Sequence, residues 1–183
     1  KFGTNDLEKL LKKGLEDKLV VISDVAGTGK STFLTHIALK FKELRPNYSV
    51  VLINLCENAK LFHEPVSSVE EFICKNFIQT SNQSVFEEKF FLENYEQGKF
   101  IFMFDGLDEI SPFCCANVLD VIKKLKQSEK SQIWLTTRHY ISNELNRMFG
   151  IQSLELIPYD FNDQVNFPVS YTHLRAHETG RNL

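Results

Sequence analysis

The sequence predicts an α/β fold, a parallel sheet of about five strands flanked by helices. Three observations carry this. Short apolar runs at Leu19–Ile22, Val50–Ile53, Phe100–Phe104 and Ile133–Leu135, and a fifth at Leu154–Ile157 broken only by Glu155, are separated by longer helix-forming segments. Phe100-Ile101-Phe102-Met103-Phe104 is apolar at every position, as a central strand covered on both faces requires. A turn containing Gly27 and Gly29 stands between the first run and the first long helix. Strands alternating with helices in this way are joined by right-handed crossovers.

The elements follow in order. Leu7, Leu10, Leu11 and Leu15 recur at helical spacing and predict an amphipathic helix over 5–17. The first strand, 19–22, leads through the Gly turn to a helix over 30–44. Phe33, Leu34, Ile37, Ala38 and Phe41 share one face of that helix, which stops near Pro46. The second strand spans 50–53, and helices over 67–79 and 84–97 follow, each with a Phe/Ile/Val stripe. Beyond the central strand come a helix at about 113–127, a strand at 133–135, a helix at about 140–148 and the fifth strand, 154–157.

Composition bounds the function. With 183 residues, 43% of them hydrophobic, the chain fits one domain with a sizeable core and is too apolar to be disordered. Lys and Arg number 21 against 24 Asp and Glu, a formal net charge of −3. There is no basic excess to attract nucleic acid or a membrane surface. The apolar runs are too short to span a bilayer. Cys56, Cys74, Cys114 and Cys115 form no CxxC pair, so free, mostly buried thiols in a reducing, cytoplasmic setting are expected. The polar start lacks Met and any signal peptide, which predicts an internal fragment of a longer chain.

The Gly turn reads Asp24-Val25-Ala26-Gly27-Thr28-Gly29-Lys30-Ser31-Thr32. Strand, Gly-rich turn and helix make the arrangement that binds polyphosphate, through backbone N–H groups at a helix N-terminus and one ammonium. Gly27 and Gly29 let the backbone come close, Lys30 can reach the outer phosphates, and the Ser31 hydroxyl can hold Mg²⁺. Thr32 is placed for the α-phosphate. Asp24 stands where the strict motif has its first Gly, and its carboxylate must point away from the phosphates.

A second constellation ends the central strand: Phe104-Asp105-Gly106-Leu107-Asp108-Glu109. Asp105, at the carboxyl end of a buried strand, can anchor Mg²⁺ through a water. Asp108 and Glu109 follow closely and could polarise an attacking water. A third, Leu135-Thr136-Thr137-Arg138, puts an Arg where it could contact the terminal phosphate and report its loss.

Together these residues resemble the NACHT family of signal-transduction NTPases with numerous domains (STAND), with a small residue between acidic positions and an added Asp-Glu as the family trait. Ile22-Ser23-Asp24, Phe33-Leu34-Thr35-His36 and Asp108-Glu109-Ile110-Ser111-Pro112 are similar to arthropod NACHT proteins, many with ankyrin or leucine-rich repeats. Asp at the first motif position is familiar in that subgroup, whereas His139 stands where Pro is common after the Arg.

The resemblance implies a P-loop NTPase sheet in the order 5-1-4-3-2 and a regulatory ATP/ADP switch, weakly hydrolytic in the full-length protein. The active state would homo-oligomerise, with innate-immune or stress signalling the expected setting. By position, Ala26, Gly27, Thr28, Gly29, Lys30, Ser31 and Thr32 would bind nucleotide, and Ser31 and Asp105 would serve Mg²⁺. Asp108 or Glu109 would support hydrolysis, Arg138 would be the sensor, and Pro158 would pack near the base. Intramolecular helical, winged-helix and repeat domains would be the partners. A non-hydrolysing nucleotide-bound scaffold, or another P-loop ATPase or kinase, is the alternative. No Asn-Lys-x-Asp guanine-reading motif is present, which argues against a GTPase of the small G-protein type; the family resembled varies in base choice, and ATP is the better guess.

The expected organisation is a flanking helix at 1–17, a nucleotide-binding core at 18–157, the start of a helical domain at 158–167 and a non-native tail at 168–183. The stretch Val169–Thr179 resembles a directly translated transposase-type sequencing adaptor, which excludes His173 and His177 as metal ligands. His36 reads as a packed or partly exposed residue. Phe86, Phe90, Phe91 and Tyr95 read mainly as core.

Overall fold

Apolar residues at consecutive positions of a strand can be buried only if both faces of its sheet are covered. The computed structural model, which describes residues 10, 12–13, 16–79 and 84–156, has that architecture. Its elements are β1 (Leu19–Ser23), α1 (Lys30–Leu44), β2 (Ser49–Asn54), α2 (Val69–Ile73), α3 (Ser84–Glu96), β3 (Phe100–Asp105), α4 (Pro112–Ser128), β4 (Ser131–Thr137) and α5 (His139–Phe149). The strands pair in parallel in the order β1-β4-β3-β2.

The two faces of the sheet carry separate cores. Val20, Ile22, Ile101, Met103 and Trp134 pack against Phe33, Leu34, Ile37, Ala38 and Phe41 of α1, joined by Leu10. Phe41 meets Trp134 edge to face with ring centroids 5.8 Å apart, a geometry favoured by the ring quadrupoles. Leu19, Val21, Phe100, Phe102, Phe104, Ile133 and Leu135 face the other way, into residues of α2 to α5. Side chains alternate along a strand, so the same alternation places Asp105 on the α1 face, following Ile101 and Met103.

Local chemistry sets the helix ends. Ser68 begins α2, its hydroxyl accepting from Glu71 N, with Glu70 and Glu71 in the first turn, where negative charge suits the helix dipole. Ser111 caps α4 by accepting from Cys114 N, with Pro112 at the first helical position. Gly150, at φ 64°, ends α5.

Three expectations need correction. The helix over 67–79 is a short α2 that widens into a π turn at Cys74–Ile78; there Asn76 Nδ2 donates to Phe72 O at 2.8 Å, competing with the backbone for helical acceptors. The fifth strand is reduced to a parallel bridge between Leu154 and Ile22, where Leu154 N donates to Val21 O and Ser23 N to Leu154 O. It lies on the outer edge of β1, as the order 5-1-4-3-2 requires. Two residues on, Leu156 N donates to the Asp24 carboxylate beyond the end of β1. In the aromatic cluster, Phe91 and Tyr95 are buried whereas Phe86 and Phe90 are exposed.

All four cysteines are free; Cys74 and Cys114 are buried, Cys115 is half-buried and Cys56 is exposed. Among the described residues no helix is long and apolar enough to cross a membrane. Of the helix expected over 5–17, Leu10, Lys12, Lys13 and Glu16 are described and helical. The segments 158–167 and 168–183 lie outside the described residues.

His36 sits on α1, half-buried, and burial followed by the nearby Lys40 charge lowers its pKa below 6.5. The unfolded chain therefore binds the proton more tightly, and stability is lost as pH falls below 6.5 through the lower folded-state pKa. Urea unfolding across that range is expected to show a pH-dependent decline that His36→Gln makes shallower.

Candidate functional site

The carboxyl ends of the parallel strands open into the crevice where α/β sheets place their ligands. Four chain segments meet there: the loop 24–29 after β1, the end of β3 with its following turn, the end of β4, and the bridge residues near 154.

The loop enters α1 through Gly29, the N-cap residue, at φ 85° and ψ 23°. Gly27 has φ 79°. A Cβ at either would meet nothing within 4 Å, so glycine serves the left-handed backbone there and not a close contact. The start of α1 carries no acidic side chain and no side-chain cap. Its first N–H groups therefore remain for an anion, with the dipole's positive end behind them. Lys30 Nζ spans the loop, donating to Val25 O at 2.7 Å and Asp24 O at 3.1 Å. Thr28 Oγ1 closes the turn on Val25 O at 3.0 Å. Ser31 is exposed and Thr32 half-buried.

The Asp24 carboxylate points out of this cradle. Oδ1 accepts from Val25 N at 2.7 Å and Oδ2 from Leu156 N at 3.2 Å, with His139 Nε2 3.7 Å from Oδ1. The Asp in the first position is thus compatible with phosphate because its charge is spent elsewhere.

Asp105 Oδ1 accepts from Thr136 Oγ1 at 2.5 Å, and Gly106 N donates to the same hydroxyl at 2.9 Å. Oδ2 accepts no hydrogen bond among the described residues. A carboxylate with an uncommitted oxygen and an exposed serine hydroxyl are the hard oxygen donors that suit Mg²⁺, which keeps most of its waters and phosphate ligands. Among the described residues there is no group of three or more His, Cys, Asp or Glu that could hold a metal by itself. Asp105 and Ser31 therefore fit a nucleotide-bound Mg²⁺ better than a stand-alone metal centre.

The two following acids separate in role. Asp108 Oδ2 pairs with Arg138 Nε at 2.7 Å, the Asp side chain 2% exposed and the Arg 45%. A carboxylate so buried needs its cation, and a guanidinium held at Nε keeps its outer N–H donors for an anion. Glu109 is exposed and its carboxylate lies over Gly106, where an added Cβ would stand 3.2 Å from Oε2. Asp108 and Glu109 are equivalent in the sequence but not in space, and only Glu109 is left facing solvent. Pro158 lies outside the described residues.

Thr136, the partner of Asp105, was visible only as one of two threonines before Arg138. Its signal was the parallel pairing of β3 with β4, which sets Phe104 opposite Leu135 and hence Thr136 beside Asp105.

A sequence model of the NACHT domain matches residues 18–173. The chain belongs to the NACHT family. Its NACHT domain is accordingly a nucleotide-binding P-loop NTPase module, of a kind that generally binds nucleotide with Mg²⁺ and acts together with other domains. Among solved structures, that of C. elegans PCH-2 is similar with a TM-score of 0.55 and 14% identity, covering 87% of this chain and 44% of that one. The Pif1 helicase from Candida albicans is similar with a TM-score of 0.43 and 17% identity, over 76% of this chain and 33% of that one. The NACHT chain thus spans less than half the length of either, and the PCH-2 likeness supports the fold alone. No curated protein matches.

Gly106, at φ 81°, combines the left-handed backbone with the close approach of Glu109. Gly106→Ala is expected to lower the unfolding free energy by about 1–2 kcal/mol from backbone strain and to push the Glu109 carboxylate aside. Gly150→Ala, also at positive φ in open space and outside the 24–32 loop, should show the strain alone. Urea denaturation of the two variants checks the first effect, and comparison of their phosphate-release rates checks the second.

Proposed function

We propose that this NACHT domain is the ATP/ADP-binding switch of a larger signalling NTPase, with slow hydrolysis controlling assembly into homo-oligomers. The observation that carries the reading is the convergence on one sheet edge of three groups. These are a left-handed glycine cradle with Lys30 across it, a half-free Asp105, and an Arg138 held by Asp108. Each answers a different part of a Mg-nucleotide. Backbone N–H groups of Ala26 to Thr32 and the Lys30 ammonium neutralise phosphate charge. Ser31 and, through a water, Asp105 would hold Mg²⁺, which would neutralise charge on the phosphate oxygens. Glu109 orients and deprotonates water, while Asp108 fixes Arg138, the sensor of the terminal phosphate.

Helical, winged-helix and repeat domains would close the site, with Pro158 near the base, and cytoplasmic innate-immune or stress signalling is the proposed setting.

Lys30→Ala is expected to weaken Mg-ATP binding by roughly 10- to 100-fold, the worth of a charged hydrogen bond lost, as read by calorimetry. Equal affinity in both proteins would sink the phosphate assignment. Glu109→Gln should keep the affinity and abolish phosphate release. Release at the wild-type rate would instead favour a nucleotide-bound scaffold that does not use Glu109.

A further inference from the structure

Asp24 engages two distant parts of the molecule with two different groups. Its backbone carbonyl accepts from Lys30 Nζ at 3.1 Å, and its carboxylate Oδ2 accepts from Leu156 N at 3.2 Å. The rest of the junction is polar and continuous. His139 Nε2 approaches Asp24 Oδ1 to 3.7 Å, and His139 Nδ1 lies 3.5 Å from Ser23 Oγ. Ser23 Oγ donates to Ser153 Oγ at 3.4 Å, and Ser153 N donates to Asn146 Oδ1 at 2.9 Å. The Asp24 side chain is 14% exposed. A carboxylate this shielded from water makes stronger bonds than a surface one.

We propose that Asp24 is a positioning residue that couples phosphate engagement by Lys30 to the placement of the chain at Ser153–Leu156. This rests on the phosphate-binding reading above. When Lys30 turns to a phosphate it gives up the Asp24 and Val25 carbonyls, and the loop N–H groups gain phosphate oxygens in exchange. The loop backbone is thereby set in one conformation, and with it the direction of the Asp24 carboxylate. Leu156 N–H, whose acceptor is that carboxylate, is then held more tightly. The segment is also held by the Leu154–Ile22 bridge, by Leu154 and Leu156 packing on the α1-face core and by Ser153 N on Asn146, and Asp24 adds a tie that reaches it from the loop carrying Lys30. By linkage, whatever fixes Leu156 also favours the nucleotide-competent loop. The Asp in the first loop position thus links the nucleotide site to the path of the chain as it leaves the sheet. His139 Nε2 approaches the same carboxylate from the adjoining helix.

Amide hydrogen exchange at Leu156, measured in this chain with and without saturating Mg-ATP, tests the coupling. In the wild type, nucleotide is expected to slow Leu156 exchange severalfold. In Asp24→Gly, exchange without nucleotide should be about tenfold faster or more, as for loss of a charge-assisted hydrogen bond, and should no longer respond to nucleotide that calorimetry shows to be bound. Asp24→Asn, which keeps one acceptor oxygen, should restore part of both effects, a rescue that a general loss of stability would not produce. Wild-type Leu156 exchange that ignores bound nucleotide, or Asp24→Gly with wild-type protection, overturns the coupling alone. Failure of the wild type to bind Mg-ATP overturns the coupling and the functional reading together.

Discussion

The burial of β3 on both faces is the constraint on which the rest of the molecule depends. Phe100 to Phe104 are each at most 1% exposed, so helices must lie above and below this strand. Covering both faces requires crossovers, and crossovers make the neighbouring strands parallel. Parallel strands in turn deliver all their carboxyl ends to one edge. Asp105, Thr137 and the loop after Ser23 therefore arrive together without any direct attraction between them. The strand's last residue is its only acid, placed where the apolar cover ends.

At that edge the electrostatics are arranged by local partners more than by net charge. Lys30 is held on the carbonyls of its own loop, Asp24 on backbone N–H groups, and Asp108 on Arg138. Each of these charges is held by a defined partner before any ligand arrives. The one acid of the Asp-Glu pair without such a tie to a cation is Glu109, and it is the one that faces solvent. Two like charges side by side in sequence have been given opposite environments by a single short turn around Gly106.

Much of this was legible beforehand, and the misses share a cause. The period-2 and period-3.6 patterns placed α1, β3 and the β4–α5 junction, because burial on a defined face leaves a repeating trace in sequence. The end of the helix begun at Val69 left no such trace, since Phe72, Ile73, Phe77 and Ile78 all reach the core across the change from α to π hydrogen bonding. The fifth strand is met in part, as a bridge on the expected edge of β1. Leu154 and Leu156 read as strand residues, but the acceptor for Leu156 N is a side chain contributed from the far end of β1. The aromatic cluster divided because Phe91 and Tyr95 face the sheet while Phe86 and Phe90, on the same helix, face away.

The sequence alone determined the layered α/β class, the Gly-rich turn between the first strand and the first long helix, and the position of Asp105, Asp108, Glu109 and Arg138 at the ends of two strands. Those depend on periodicity and on short contiguous motifs, which are written locally. Only the tertiary structure decided that Asp108 belongs to Arg138, that Thr136 belongs to Asp105, and that Asp24 reaches Leu156. Those pairings depend on which strands are neighbours and in what register. Register follows from the packing of whole elements against one another, not from the spacing of residues along the chain.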